Sequence, residues 1–448
     1  MIKIYDTMTR SLRDFVPLTE NVVNMYVCGP TVYNYIHIGN ARSTVAFDTI
    51  RRYFEYCGYT VNYISNFTDV DDKIIKAANE AGISTKELSD KFIAAFMEDT
   101  GQLGIKPATQ NPRVINYMDE IIAFVSTLVD KGFAYVSEGD VYFRVAKSNN
   151  YAKLANKTLE DLEIGASGRT DAETERKENP LDFALWKAAK EGEVSWDSPW
   201  GPGRPGWHIE CSVMATEILG GTIDIHGGGA DLEFPHHTNE IAQSEAKTGK
   251  TFANYWMHNG FVNVDNEKMS KSLGNFVTVH DMLQTVDGQV LRFFLATQQY
   301  RKPINFTEKA IHDAEVNLKY LKNTHSLPLT EQVNQAELQT YLDAFQEAMD
   351  DDFNTANGVT VLFDMAKWIN SGNYDQTVKD AFEKMLQVFG IVFEEEVLDE
   401  RYRKNSLKKR QAARANKDFA TADRIRDELA AQGIKLLDTK EGVRWTRD

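Results

Sequence analysis

The residues best suited to metal chemistry lie far apart in the chain. Cys28 ends an apolar, strand-like run, and Cys211 directly follows Trp-His-Ile-Glu. His236 and Glu240 are four residues apart, so both lie on one face if their segment is helical. Two thiolates, an imidazole and a carboxylate suit Zn²⁺, which binds sulfur, nitrogen and oxygen ligands. No C-x-x-C pair is present, so the spacing also allows a structural interpretation with buried cysteines and a surface histidine pair.

Two short polar segments have the composition of a phosphate site. His37-Ile38-Gly39-Asn40 opens a predicted helix, whose free N–H groups and partial positive charge favour an anion. Gly39 allows a ligand to approach closely, and the side chains of His37 and Asn40 can donate to phosphate oxygens. About 230 residues later, the segment Lys268-Met269-Ser270-Lys271-Ser272 offers two lysines that can neutralise a leaving pyrophosphate. A Walker-type Gly-x-x-x-x-Gly-Lys-Ser/Thr motif is absent from the sequence.

Strands and helices alternate in the part of the chain that must position these residues. The predicted strands are Val22–Cys28 and Val61–Phe67, and the predicted helices are Gly39–Cys57 and Asp71–Ala81, each followed by a glycine. The pattern resumes at Trp207–Leu219 and Thr222–His226. This order predicts an α/β fold with a parallel, nucleotide-binding type of sheet.

The remaining segments differ in character. A helix at Val114–Lys131 and a hairpin at Phe133–Val145 are predicted to form an insertion in the sheet domain. Residues 308–393 are compatible with a bundle of amphipathic helices. The C-terminal region predicts one helix, Ser406–Gln432, and then a strand pair at Ile434–Leu437 and Val443–Trp445.

The charge of the chain is unevenly distributed. Its 448 residues carry a net charge of −16, but residues 401–448 hold 14 Lys and Arg against 7 Asp and Glu. The last 48 residues therefore have a net charge of +7 and the rest −23, which favours a separate basic module. Three cysteines exclude a disulfide scaffold, and neither a signal peptide nor an apolar membrane span is predicted. We therefore expect a cytoplasmic, monomeric protein without membrane partners.

The motifs together resemble a known family. The segments 37–40 and 268–272 are similar to the two signatures of class I aminoacyl-tRNA synthetases. Cys28, Gly206–Cys211, His226–Gly229 and Pro235–Glu240 resemble the cysteinyl-tRNA synthetase family in particular, and the similarity extends through residues 423–445. The first signature usually ends in His, whereas here it ends in Asn40, which makes an acid role at that position implausible.

The resemblance implies a class I Rossmann-type catalytic domain with a connective insertion, a helical bundle and a small mixed α/β anticodon-binding module. The implied boundaries are 1–112 and 181–250 for the two catalytic halves, 113–180 for the insertion, 251–307 for the stem-contact and lysine-loop domain, 308–397 for the bundle and 398–448 for the basic module. The implied activity is formation of cysteinyl-adenylate from L-cysteine and ATP with Mg²⁺, followed by transfer to the 3′ end of tRNA(Cys).

The resemblance also implies roles for individual residues. Zinc ligands fall on Cys28, Cys211, His236 and Glu240, with one ion per chain. Catalysis falls on His37, Asn40, Lys268 and Lys271. ATP binding falls on the same four residues together with Gly39, Gly227 and Gly228. Cysteine binding falls on Gly29, Thr31, Thr68, Trp207 and Asp231. Contacts to tRNA fall on Lys408, Lys409, Arg410, Arg424, Arg444 and Trp445.

Zinc gives a physical reason for selecting cysteine. An apolar pocket separates substrates that differ by one small group only about 10–200-fold, whereas zinc binds a thiolate much better than a hydroxyl. We hypothesise that the substrate sulfur joins the four protein ligands. Two alternatives remain: a ligase that joins cysteine to an amino sugar, which does not need the basic tail, and a catalytically inactive tRNA-binding paralogue.

Overall fold

The computed structural model describes residues 1–166, 174–269, 274–331, 333, 335–393, 406–431, 434–439 and 442–447. The chain divides into two compact units, Met1–Ile391 and Val392–Asp448. Among the helices described, none is both long enough and apolar enough to cross a lipid bilayer.

The first unit contains thirteen strands and thirteen α-helices within the described residues. The strands are β1 (Lys3–Asp6), β2 (Ser11–Asp14), β3 (Val22–Val27), β4 (Thr60–Ser65), β5 (Ala134–Ser137), β6 (Asp140–Phe143), β7 (Phe183–Ala188), β8 (Gly203–Pro205), β9 (Ile223–Gly229), β10 (Ala253–Asn259), β11 (Val262–Val264), β12 (Glu267–Lys268) and β13 (Ile304–Phe306). The helices are α1 (Ile38–Tyr56), α2 (Asp72–Ala81), α3 (Thr85–Gln102), α4 (Met118–Asp130), α5 (Leu159–Ala166), α6 (Trp207–Leu219), α7 (Thr238–Thr248), α8 (Val279–Met282), α9 (Gly288–Ala296), α10 (Glu308–His325), α11 (Gln335–Asp350), α12 (Thr355–Asn370) and α13 (Gln376–Val388).

A four-stranded parallel sheet in the order β10-β9-β3-β4 forms the centre of this unit, which confirms the predicted α/β fold. Strand β3 is mostly apolar and β9 is buried along nearly its whole length, as expected where helices cover both faces of a parallel sheet. Helices α1 and α2 begin and end within one or two residues of the predicted positions. Gly82 adopts the left-handed conformation (φ 67°) after α2, which a residue with a side chain adopts only with strain.

The insertion forms its own antiparallel sheet in the order β5-β6-β7-β8. The predicted hairpin corresponds to β5 and β6, and the predicted helix starts with a 3₁₀ turn at Val114–Tyr117 before α4. Since β7 and β8 pair with this hairpin, the sheet continues to Pro205, beyond the boundary expected at residue 180. Hydrogen bonds between sequence-distant strands set this limit, and the local composition does not reveal it.

Buried arginines connect α1 to the helical region. Arg292 on α9 forms a 2.6 Å ion pair with Asp48 on α1 and donates to the carbonyl oxygen of Phe389. Arg42 on α1 donates to the carbonyl oxygen of Leu295 at the end of α9. Burial alone raises the pKa of Asp48, but the charges of Arg292 and Arg52 outweigh it and hold the pKa below its ordinary value. Helix α1 is thereby fixed at several points along its length.

The second unit contains α14 (Lys408–Ala415), α15 (Phe419–Ala430), β14 (Ile434–Thr439) and β15 (Gly442–Arg447). The prediction of one helix over residues 406–432 is wrong. Lys417 has a positive φ of 61°, and the side chain of Asp418 accepts from the backbone N–H of Thr421, so a new helix begins there. The predicted strand pair is confirmed as an antiparallel hairpin.

Replacing Arg292 by Leu tests the connection between α1 and α9. We expect the free energy of unfolding to fall by about 3–5 kcal/mol, because Asp48 then keeps its buried charge with one partner fewer. Urea denaturation followed by circular dichroism measures the change. The matched control is Lys309→Leu, which removes the exposed Lys309–Asp313 pair and should change stability by less than about 1 kcal/mol. Equal effects in the two variants would contradict this account.

Candidate metal site and signature segments

The candidate metal site lies near the carboxyl end of β3. Cys28 follows β3, and its backbone N–H donates to the carbonyl oxygen of Gly227 on β9, 3.3 Å away. Cys211 lies in the first half of α6, where it is buried. His236 precedes α7 and Glu240 lies in its first turn, so both side chains project from one face, as their spacing predicts. The carboxyl ends of parallel strands form the usual ligand crevice of such sheets.

The four predicted ligands converge. Their ligand atoms all lie within 4.8 Å of one another. Cys28 Sγ is 3.6 Å from Cys211 Sγ and 3.4 Å from Glu240 Oε1, and His236 Nε2 is 3.0 Å from Glu240 Oε1. Two sulfurs, one nitrogen and one oxygen around a common point fit the donor set that Zn²⁺ accepts.

A second group of four ligand atoms shares Cys28 and Glu240 with the first and adds His226 and His237. His226 Nε2 lies 2.7 Å from Glu240 Oε2, and its ring stacks on Trp256. His237 Nε2 is 3.4 Å from Cys28 Sγ, while its Nδ1 is 2.7 Å from His258 Nε2. Both histidines therefore contact ligands of the first group, which is the arrangement of outer partners that orient metal ligands.

The electrostatics of the cluster suit a cation. Burial raises the pKa of Glu240, but the positive charges of His226 and His236 lower it to about 2. Burial likewise opposes ionisation of Cys211, yet its hydrogen bonds to Cys28 and His236 lower the pKa to about 6. Burial and the neighbouring Cys211 raise the pKa of Cys28. Glu240 and Cys211 thus favour their negatively charged forms at buried positions, which requires a positive partner.

Aromatic and imidazole groups surround the ligands. Trp207 stacks on His236 with ring centroids 4.3 Å apart, and His208 Nδ1 lies 2.9 Å from His236 Nδ1. The sequence marks a concentration of histidines between residues 208 and 237, but gives no role to His208, His226 or His237. His258, on β10, has no local pattern that could have identified it.

The first signature forms the start of α1. His37 is the N-cap: its Nδ1 accepts from the backbone N–H of Asn40, and Asn40 Oδ1 accepts from the backbone N–H of His37, both at 3.2 Å. This is a capping box, with Asn in the place usually taken by Glu or Gln. Asn40 therefore uses its carbonyl oxygen to complete the helix start, a role not foreseen from its type alone.

The structure brings the two signatures together. Ile38 N–H donates to Val277 O (3.1 Å), and Val279 N–H donates to Ile36 O (2.9 Å). A methyl group added at Gly39 would lie 3.7 Å from Met269 Cε. Lys268 is exposed on β12, whereas Lys271 and its neighbours at 270–273 lie outside the described residues.

The structure brings together only some of the residues that are predicted to bind cysteine. Thr31 and Thr68 face each other in a parallel bridge, and a side chain at Gly29 would collide with the carbonyl oxygen of Asn66. Thr68 Oγ1 donates to the buried Glu210 (3.1 Å).

Packing within the protein also explains why glycines stand at the two β9 positions that are predicted to bind ATP. A side chain at Gly227 would collide with the ring of Phe47 on α1, and one at Gly228 would meet Leu232 and His237. Asp231 lies at the exposed surface just beyond β9.

The predicted tRNA contacts of the basic module divide into two groups. Lys408, Lys409 and Arg424 are exposed. Arg410 is buried and forms two 2.8 Å hydrogen bonds with Asp438, so its contacts count against the predicted tRNA role and assign it to the fold of the module. Trp445 packs against the core formed by Ile425, Leu429 and Ile434. The side chain of Arg444 lies outside the described part.

Comparisons with known proteins agree with this architecture. The family model for the tRNA synthetases class I (C) catalytic domain matches residues 14–316, the DALR domain model matches residues 344–394, and the cysteinyl-tRNA ligase anticodon binding domain model matches residues 406–445. A solved methionyl-tRNA synthetase of Mycobacterium tuberculosis with methionyl-adenylate has a TM-score of 0.60 at 15% identity, covering 82% of this chain and 89% of that chain. Fold and family models thus define a class I aminoacyl-tRNA synthetase.

Full-length relatives identify the particular family. Proteins named Cysteine--tRNA ligase are 94% identical in Streptococcus thermophilus, 82% in Streptococcus pyogenes serotype M6 and 80% in Streptococcus agalactiae serotype III, each covering 100% of both chains. The chain belongs to the cysteine–tRNA ligase family. These findings do not support the amino-sugar ligase or the inactive paralogue.

Metal content distinguishes the two possible ligand groups. We expect Cys211→Ala and His236→Ala to lose bound zinc, because each removes a ligand of the predicted group only. His237→Ala should retain it, and Cys57→Ala is the matched cysteine control. Elemental analysis of the purified variants measures the metal. Unchanged zinc in Cys211→Ala, or its loss in His237→Ala but not in His236→Ala, would overturn the predicted ligand set.

Proposed function

We propose that this chain activates L-cysteine with ATP to form cysteinyl-adenylate and transfers the cysteine to the 3′ end of tRNA(Cys). The observation that carries the proposal is the largely buried cluster of Cys28, Cys211, His236 and Glu240, in a chain of this family that also has the first signature at the start of α1. The name of the 94% identical relative supports both the amino acid and the tRNA. The match of residues 406–445 to an anticodon binding domain supports a tRNA substrate.

We propose zinc as the resident metal, held by Cys28, Cys211, His236 and Glu240. When bound there, zinc supplies a soft Lewis acid that prefers the thiolate of cysteine to the hydroxyl of serine. The chain itself holds the ligands in place: His226 fixes the second oxygen of Glu240, and Trp207 covers the ring of His236.

The protein groups around the pocket orient the amino acid. The hydroxyl of Thr68 accepts from Asn66 (3.2 Å) and donates to Glu210 (3.1 Å), which fixes its direction. Gly29 and Thr31 supply backbone groups beside it, and Asp231 is an exposed acceptor just beyond β9. These placements support the proposed cysteine-binding roles.

ATP is proposed to bind at the N-terminus of α1, with Mg²⁺ on its phosphates. His37 already accepts through Nδ1, so a neutral ring carries its proton on Nε2 and can donate to a phosphate oxygen. Lys268 and Lys271 are proposed to stabilise the negative charge that develops on the departing pyrophosphate. The protein is further proposed to act in the cytoplasm as a monomer, and its three unpaired cysteines agree with a reducing compartment.

Cysteine-dependent exchange of pyrophosphate into ATP, followed by charging of tRNA(Cys), tests the activity. We expect both reactions with cysteine, and discrimination against serine of more than about 10⁴-fold in kcat/KM because serine lacks the thiolate. Alanine is the control substrate that offers no ligand atom. Exchange without charging, or serine activation within about tenfold of cysteine, would contradict the proposal.

The role of the lysine loop is tested separately. Lys271→Ala should lower the rate of adenylate formation about 10²–10³-fold, as does the loss of a donor that acts in the transition state. The KM for cysteine should change little, because Lys271 is proposed to act only on the phosphates. Pre-steady-state measurement of adenylate formation records both quantities. Lys309→Ala, at an exposed position on α10, is the control. A change confined to the KM would oppose the assignment.

A further inference from the structure

The lysine loop, residues 265–278, is anchored at its two ends by different parts of the first unit. Its first arm is β12, which pairs with β11, and β11 in turn pairs with β13. Its second arm pairs with the segment before α1 through Val277 and Val279. The described residues of the second arm, 274–278, therefore lie next to the first signature, whereas residues 270–273 are outside the described part.

Besides the ring contact of Phe276 with His37, a side chain at the end of that second arm contacts α3. His280 directly follows the paired segment, and its Nδ1 lies 3.0 Å from Asp99 Oδ1 on α3. Its ring stacks on Tyr35, with centroids 4.2 Å apart and planes inclined by 16°. Tyr35 lies two residues before His37 and contacts Phe92 on α3 edge-on. The imidazole is thus fixed between a carboxylate and an aromatic ring.

The carboxylate partner is nearly inaccessible. Its side chain is 1% exposed, and Asp99 Oδ2 is buried with no hydrogen-bond partner among the residues that the structure describes. His280 is the group that compensates this carboxylate in the described region. An apolar residue at 280 would leave Asp99 without its donor, which costs more than the loss of an exposed hydrogen bond.

We propose that His280 is a positioning residue for adenylate formation, holding the second arm of the lysine loop against the first signature through Asp99 and Tyr35. This inference rests on the proposed function. Its physical basis is preorganisation: donors aimed at developing charge are effective only when they are held in place before the reaction. A displacement of about 1 Å can cost about 10²-fold in rate.

The effect should appear in the chemical step. His280→Phe retains an aromatic ring next to Tyr35 but removes the donor to Asp99, and we expect adenylate formation to slow about 10–100-fold. The KM for ATP should stay within about threefold, because the N-terminus of α1 is unchanged. Transfer from preformed adenylate to tRNA should not change, since the loop acts before that step.

Rescue and coupling separate positioning from general destabilisation. His280→Asn places an amide N–H near the position of Nδ1 and should recover most of the rate. Asp99→Leu removes the same hydrogen bond from the other side and should slow the reaction by a similar factor. If both residues act through one contact, the double variant His280→Phe/Asp99→Leu should lose no more rate than His280→Phe alone.

The control is His312→Phe on α10, which removes an exposed histidine 3.8 Å from Glu315. It should leave adenylate formation unchanged. Wild-type protein without cysteine-dependent exchange would refute the proposed function itself. Active wild-type protein with an unaffected His280→Phe and Asp99→Leu would refute the positioning role alone. Equal losses in His280→Asn and His280→Phe, or losses in adenylate formation and transfer together, would also overturn it.

Discussion

The pairing of β3 with β9 is the contact on which the rest of the site depends. These strands are separated by about 200 residues, yet Met25–Val27 lie directly beside Ile225–Gly227 in parallel register. A shift by one residue would turn each side chain to the opposite face and would move Cys28 away from Cys211 and Glu240. The absence of a side chain at Gly227 admits Phe47, so the same register also seats α1 against the sheet. The same pairing therefore places Cys28 in the candidate metal site and offers the surface on which α1 packs.

The histidines around the predicted ligands provide hydrogen-bond partners for the groups that this placement buries. A carboxylate and a thiolate in a fully buried cluster are unfavourable unless each has partners. His226 takes one oxygen of Glu240 and His236 lies beside the other, while His237 continues through His258 to Thr7 Oγ1 at 2.8 Å. The chain of hydrogen bonds thus extends from the ligand group to the turn after β1. Because each member restricts the next, the predicted ligand atoms are held close together by the histidines around them.

Much of this site was accessible from residue types and from the family resemblance. The strand–helix order could be predicted from local pattern. The family resemblance predicts that Cys28, Cys211, His236 and Glu240 come together, and their roles as metal ligands stay predictions. The partners His258, Asp99 and His280 could not, since their roles exist only through contacts between distant segments. The same limit applies to β8, which joins the insertion by pairing alone. Apolar periodicity does not predict the break at Lys417, because the apolar spacing continues through it. The break comes from the N-cap at Asp418, a local hydrogen bond between side chain and backbone that periodicity does not reveal.

The basic C-terminal module offers fewer free cations for the proposed tRNA contact than its 14 Lys and Arg suggest. Arg410 and Arg414 both pair with Asp438, at 2.8 and 2.6 Å, so much of their charge is compensated inside the module. Phosphate contacts require cations that release counterions on binding. Lys408 and Lys409 are exposed at the start of α14. Their positive charges repel each other there and are also repelled by the positive end of the helix dipole. Binding an RNA phosphate there would relieve that repulsion, whereas the arginines facing Asp438 stabilise the fold. The charge that defines the module in the sequence thus divides between arginines paired with Asp438 and exposed cations such as Lys408, Lys409 and Arg424, which we propose as the groups that meet tRNA.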